Sequence, residues 1–367
     1  MKPSFFIAFG LFYCTHSLAQ SPSSPSLAQP PTPQSLAQLI NPLSTLSPVT
    51  IRLNAPDDKI ANSLFRHFEV IDERPDTTRI GLHYALIRLG KPHNRQLIFS
   101  QPASRALSDY LDKYYSRSDA PYTLLIVLRN LWLSDAKYLR EDVAKNHDKV
   151  YEKTHARVRM EIYAARDSLY MPLYRLDTLV ITRHLSTYDL TNVYSVWNDN
   201  LAALLNEMAD SAMLVTQRKQ GQTRLVSRDD ILQYNQSRFT NPIDSGFLNT
   251  GVYKNFEEFK NNAPSIKEFE VRTEKSTRLL YIKEGGTSYY SHNAWGYCDG
   301  KNIYIMRDGI LNPVWREGKA WYFNGETDFD IPEYTFSNNG TNMAAASRRE
   351  VKRTRIFTLD IDNDTIY

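Results

Sequence analysis

Pro121-Tyr-Thr-Leu-Leu-Ile-Val-Leu-Arg-Asn-Leu-Trp-Leu133 is the longest near-continuous apolar run past the N-terminal leader. It opens on a proline and mixes β-branched with aromatic residues. The run is long for a strand and far too short to cross a membrane, so it predicts a strand buried on both faces. Taken alone it leaves a helix open; the alternating segments around it favour a sheet.

Upstream, Phe65–Asp72 and Ile80–Leu89 read as strands parted by the turn-rich Arg74-Pro-Asp-Thr-Thr-Arg79. Ser100-Gln-Pro-Ala opens a helix, with Pro102 in the first turn where its missing N–H costs nothing. Ala103, Ala106, Leu107, Tyr110, Leu111 and Tyr114 fall on one face of it. Downstream, Ser134 to Lys153 is strongly charged and predicts a solvated excursion with room for a helical turn. Ala156, Val158, Met160 and Ile162 then alternate with His155, Arg157, Arg159 and Glu161, a period of two. Leu173–Thr182 is a further strand, returning through a loop at Asp167-Ser168. Val193, Trp197, Leu201, Leu204, Leu205, Met208 and Ala212 line a second helix. Two helices on one face of a mainly antiparallel sheet account for residues 49–214.

Residues 215–245 are polar and read as a linker. Beyond them the periodicity changes, with turn dipeptides Asp299-Gly300, Asp308-Gly309 and Asn324-Gly325, and Glu317-Gly318 among them. Aromatic segments such as Ile303-Tyr-Ile-Met and Ala320-Trp-Tyr-Phe lie between the turns. That spacing predicts a mostly-β antiparallel meander over 246–367, which Arg353–Ile361 joins as a last strand. The fold class expected for the whole is α+β, in two domains.

The leader carries the clearest functional signal. Lys2 precedes the apolar stretch Phe5–Tyr13, and Ser17-Leu-Ala19 puts small residues at −3 and −1 of a cleavage before Gln20. An uncut anchor is the other reading of the same run. Residues 20–48 form a Pro/Ser-rich tether in which Ser-Leu-Ala-Gln recurs at 26–29 and 35–38, so cleavage after Ala28 or Ala37 is also open. If Cys14 leaves with the leader, Cys298 is the remaining cysteine and no internal disulfide forms. At 42% hydrophobic and 23% charged the composition is that of a folded protein, and a net charge of +3 argues against a general nucleic-acid binder.

On Phe68-Glu-Val-Ile-Asp-Glu-Arg-Pro-Asp-Thr-Thr-Arg-Ile-Gly81, the helix after Ser100 and the Ala156–Ile162 strand, residues 49–214 resemble small α+β domains of extracytoplasmic lipoprotein-like accessory proteins, such as auxiliary components of envelope transport systems. The resemblance implies a non-enzymatic role, in envelope assembly or as a partner-binding platform. Tyr13 before Cys14 departs from the small residue a lipobox wants, which favours plain secretion over lipidation. The leader with its Ala-Gln site resembles those of Bacteroidetes-type bacteria. Gly251-Val-Tyr-Lys-Asn-Phe and Trp295-Gly-Tyr-Cys-Asp-Gly-Lys are similar to uncharacterised secreted proteins of that group, and no activity comes with the likeness.

Candidate sites are few, and each has a structural reading beside it. Cys298 and His292 are spaced so that a strand could bring a thiol near a base, but a free cysteine is as often a small core residue. Tyr289, Tyr290 and Trp295 suit a carbohydrate or peptide surface and equally a meander core. Arg348, Arg349, Lys352 and Arg353 belong to the densest basic run, which fits an anionic partner or a guarded sheet edge. Asp360, Asp362 and Asp364 start like a calcium loop, but Thr365 stands where glycine is needed. No zinc-ligand spacing, G-x-S-x-G or phosphate loop occurs, so no metal or cofactor is expected.

These observations favour an exported, non-enzymatic protein of the periplasm, outer membrane or extracellular space. Its partner would be an envelope protein or glycan, with no nucleic acid and no transmembrane span in the mature chain. The alternative is a secreted hydrolase with its site in the cleft between the domains. N-terminal sequencing of the native protein should read Gln20, Gln29 or Gln38; a chain that keeps Met1 overturns export.

Overall fold

The computed structural model describes residues 43–56, 63–85, 93–142, 147–185, 190–219, 225–274, 277–336, 343–362 and 365–367, without the side chains of 136–152, 184–192, 235, 237–238 and 327–353. The leader, most of the tether, residues 86–89 and Asp364 lie outside them. Residues Pro42–Tyr367 form one compact unit. Among the described residues no helix is long and apolar enough to cross a membrane.

The first sheet is built from β1 (Pro48–Thr50), β2 (Phe65–Asp72), β3 (Gly81–Ala85), β4 (His93–Ile98), β5 (Tyr122–Asp142), β6 (His147–Arg166) and β7 (Leu169–Leu185). Its order is β1-β4-β3-β5-β6-β7, with β2 also paired to β5. The apolar run forms the buried part of β5, at the centre. Leu124, Ile126 and Leu128 enter the large core, while Leu125 and Val127 enter a second cluster on the opposite face with Tyr163, Ala165, Tyr170 and Ile231. The strand is therefore buried on both faces, which is why its sequence shows a run and no alternation.

The long ladders β5–β6 and β6–β7 are antiparallel, as is β3–β4. Parallel pairings β1–β4, β2–β5 and the Gly81–Leu133 contact of β3 with β5 make the sheet mixed. At that contact a Cβ on residue 81 would stand 2.1 Å from the Leu133 carbonyl oxygen, so only glycine lets the strands meet. Strands β1 and β4 were not anticipated: Pro48–Thr50 is very short, and His93–Ile98 is mostly polar.

Helix α1 (Ala103–Tyr115) has Pro102 at its N-cap, and helix α2 (Leu190–Lys219) runs seven residues past Ala212, the end of its predicted apolar stripe, into the stretch expected to be a linker. Both pack on the same face of the sheet, Leu107 and Leu111 beside Trp197 and Leu205. Asp112 of α1 accepts the Phe68 N–H at 2.7 Å and so ties the helix to β2.

Two expectations are corrected. Ser134–Lys153 is no excursion, because β5 and β6 continue through it as a long hairpin. Asp135 opens that stretch yet is buried, accepting the Tyr84 N–H at 3.0 Å with the Arg355 guanidinium 3.6 Å away. Its charge is met by tertiary partners that local sequence does not show. Asn324-Gly325 makes no turn either. It lies inside a long strand, Ala320–Phe336, where a Cβ on Gly325 would meet the Phe357 ring at 2.8 Å, so the glycine there makes room for an aromatic neighbour.

The segment 215–245 holds the end of α2, helix α3 (Arg228–Arg238) and a 3-10 turn, Pro242–Ser245. Ser227 and Asp230 form a reciprocal cap at the start of α3, and Ile231 closes the second cluster over β5. After it come β8 (Gly251–Tyr253), α4 (Phe256–Lys260), and a small sheet of β9 (Phe269–Glu274), β10 (Thr277–Glu284) and β11 (Thr287–Tyr290). A second large antiparallel sheet joins β8 to β12 (Gly296–Cys298), β13 (Ile303–Arg307), β14 (Ile310–Glu317), β15 (Ala320–Phe336), β16 (Met343–Asp360) and β17 (Thr365–Ile366). Asp308 and Gly309 both take positive φ at the β13–β14 turn, as a tight hairpin requires. The fold class is α+β with a β-rich C-terminal region.

The two large sheets meet through a buried polar joint. Arg79 donates to Asp76 Oδ2 at 2.8 Å and, from both terminal nitrogens, to Glu317 Oε2 at 3.2 Å. The Tyr322 hydroxyl donates to Asp76 Oδ2 at 2.5 Å, and Trp132 packs on the Tyr322 ring. Arg74, itself buried and paired to Asp72, donates to the Arg79 carbonyl and fixes the loop. Burial first, then Asp76, hold the Tyr322 phenol well above its ordinary value. A phenol whose pKa is raised by folding stabilises fully below the free value of about 10, and that stabilisation is lost as pH climbs past it. Urea midpoints should therefore fall between neutral pH and the alkaline range above 10. Tyr322→Phe should cost about 1–2 kcal/mol at neutral pH and make the alkaline fall shallower.

Candidate functional site

Arg129 is the one charge inside the central apolar run, and β5 is irregular where it stands. Leu128 pairs with Met160 and Asn130 with Arg159, so Arg129 is the extra residue of a bulge. The bulge reverses the strand's alternation. Before it Leu124, Ile126 and Leu128 face the helices; after it Leu131 and Leu133 do. Trp132 is thereby turned toward the second sheet.

The Arg129 side chain is 5% exposed and its guanidinium lies 4.2 Å from the Phe239 ring centroid. Its Nε and Nη2 are buried without a hydrogen-bond partner among the described residues. Burial pulls the Arg129 pKa down, and Glu161, Glu73, Tyr163 and Asp362 push it back up. Glu161 is buried beside the Tyr163 hydroxyl, with the Arg175 guanidinium 3.4 Å away. Such an arrangement balances a buried charge through neighbours and leaves part of its donor fork unused.

Arg129 lines a pocket of about 90 Å³ where three parts of the chain converge. Glu73 and Pro75 come from the loop of the polar joint, Gln236 to Asp244 from α3 and the turn after it, and Lys319, Leu359 and Asp362 from the second sheet. Asp244 accepts the Trp321 Nε1–H at 3.0 Å. Asp362 accepts from Asn241 at 3.3 Å and lies 3.8 Å from Arg159. Burial, with Asp360 beside it, pushes the Asp362 carboxyl up despite the Asn241 hydrogen bond. A cationic donor, an aromatic face and acceptor carboxylates in one pocket suit a polar group that both gives and takes hydrogen bonds.

Of the residues singled out from sequence, Asp362 lines this pocket, and the others lie elsewhere. Cys298, on β12, is 0% exposed; its sulfur accepts the Gly300 N–H at 3.2 Å and meets the Tyr253 hydroxyl. Burial pushes the thiol pKa up, away from the thiolate a nucleophile needs. His292 is exposed with its ring 6.0 Å from that of Tyr290, and among the described residues no hydrogen bond joins it to Cys298.

Tyr289 and Tyr290 are exposed on β11, donating to Glu284 and to the Gly309 carbonyl. Trp295 parts from them. It stacks on Phe259 at 4.3 Å inside a cluster with Tyr253 and Phe256. Arg348, Arg349, Lys352 and Arg353 sit on β16 opposite β15, and their side chains lie outside the described residues. Asp360 accepts from Asn130 at 3.0 Å and so links the sheets. Among the described residues no group of three His, Cys, Asp or Glu is placed to hold a metal. Arg129 itself was legible as a lone charge in an apolar run; that it is bulged and buried was not.

No family model and no curated protein matches the sequence. Among solved structures, one match is the crystal structure of protein XCC0632 from Xanthomonas campestris, family-model DUF330. It is 14% identical with a TM-score of 0.29, and the match covers 48% of this chain and 98% of that chain. At that TM-score the likeness carries no weight for fold or function.

The thiol geometry is directly testable on chain 20–367. Cys298 should stay unreactive to a thiol-exchange reagent in the native protein and react fully in concentrated guanidinium. Rapid native labelling would restore the nucleophile reading.

Proposed function

We propose that the chain is an exported, non-enzymatic protein of the cell envelope, and that the pocket at Arg129 receives a polar group of its partner. The observation that supports this most is the buried bulge arginine, part of whose donor fork is unused, in the wall of a pocket that Phe239 shares. Export rests on the leader Lys2–Ala19. A binder needs shape and donors already in place, and a bulge in a strand buried on both faces holds the arginine where partner and protein meet.

Bait made from chain 20–367 should retain a partner from the native envelope, and Arg129→Gln bait should lose it. A hydrogen bond to a charged group contributes about 1.5–3 kcal/mol, a tenfold or greater loss of affinity. Thermal midpoints within a few degrees of the wild type would separate lost binding from lost folding. Equal retention by both baits removes the pocket from the proposal.

The hydrolase reading keeps one observation in its favour, a half-buried Asp362 carboxyl held up beside the same pocket. Turnover of nitrophenyl glycosides or esters by the wild type, abolished in Asp362→Asn, would decide for it.

A further inference from the structure

Strand β7 ends the first sheet, and from Asp177 on it carries apolar side chains in the open. Leu179 is 42% and Ile181 54% exposed, on the face opposite Leu176 and Val180, which pack toward the core. An edge strand directs every second N–H and C=O away from its neighbour and so offers a template for pairing. The start of β7 is covered: Tyr170 exchanges both backbone bonds with Val226, and Lys219 donates to the Pro172 and Leu173 carbonyls. Beyond it, Asp177–Arg183 has no strand beside it on that edge among the described residues.

Asp177-Thr-Leu-Val-Ile-Thr-Arg183 is chemically self-complementary when reversed. Set antiparallel to itself about Val180, Asp177 faces Arg183, Thr178 faces Thr182, and Leu179 faces Ile181. Each is a favourable cross-strand pair, and each occurs twice by symmetry. Residues directly opposite in such a ladder share a face, so both exposed apolar residues meet apolar partners and both charges meet their opposites. Arg157 and Arg159 flank Asp177 from β6, and a second copy's Arg183 would approach it from the open side.

From this register we infer that β7 is the docking edge for a second copy of this chain, the two sheets joining into one across a two-fold axis at Val180. Such an isologous contact closes on itself, which is how an exposed edge avoids open-ended assembly. No lysine, proline or glycine interrupts residues 177–183, the devices that commonly blunt an edge meant to stay single.

Sedimentation of chain 20–367 over rising concentration should show a monomer–dimer equilibrium. Ile181→Lys should weaken it at least tenfold with the monomer's melting midpoint unchanged, the site being exposed. Asp177→Arg and Arg183→Asp should each weaken it about tenfold, and D177R/R183D together should restore it, since only this register swaps the two charges across the axis. Because Asp177 also serves its own chain, Leu179→Cys with Ile181→Cys gives a second readout: a mild oxidant should link it into a dimer, and Arg175→Cys with Ile181→Cys should not link. A chain that stays monomeric at every concentration, a dimer indifferent to these changes, or an edge that takes a strand of another protein in place of a second copy overturns the inference.

Discussion

The guanidinium of Arg79, held between Asp76 and Glu317 and roofed by the Tyr322 hydroxyl, fixes one large sheet on the other. Taking charges out of water costs several kcal/mol per ion, so a buried joint of this kind stands only if nearly every group finds a partner. Here the loop meets much of that condition itself, although the Arg79 Nε is buried without a hydrogen-bond partner among the described residues. Asp76 receives the N–H and hydroxyl of Thr78 and the N–H of Arg79, and Arg74 clamps the Arg79 carbonyl. The second sheet supplies what is missing, one carboxylate and one phenol. Because the joint is polar and directional, it sets orientation more sharply than an apolar contact of the same size would.

The pocket follows from that orientation. Its walls come from three stretches far apart in sequence, and they converge because the joint holds β5 and the second sheet at one distance. The bulge at Arg129 adds the second constraint. One extra residue lets Leu128 and Leu131 both reach the helical core, at the cost of seating a guanidinium in the opposite wall. Phe239 and the surrounding carboxylates make that tolerable, and the donors left over give the pocket its chemistry.

Much of the fold was legible. Strand β5 announced itself as an apolar run, β6 by its period of two, and both core helices by their stripes. The structure buries every residue of the second stripe, whereas in the first Ala106 and Tyr114 stay half-buried and Tyr115 takes a core place the stripe did not include. What misled was charge and turn chemistry read locally. Ser134–Lys153 looked solvated because its polar residues had no visible partners, yet Asp135 finds Tyr84 and Arg355 from elements 51 and 220 residues away. Asn324-Gly325 looked like a turn because that pair favours one, but the glycine serves the Phe357 ring.

The candidate site divides the same way. By itself the sequence determined the periodicities, the caps, the hairpin turns at positive φ and the placing of a single arginine among apolar residues, all of which depend on neighbours within a few positions. Only the tertiary structure decided that this arginine is bulged and buried, that Cys298 is sealed against Tyr253, and that Trp295 stacks inward while Tyr289 and Tyr290 stay exposed. Burial and hydrogen-bond partnership are set by groups brought from tens of residues away to more than a hundred. No local pattern records them, because the same residue types serve a core or a surface equally well until the chain has closed around them.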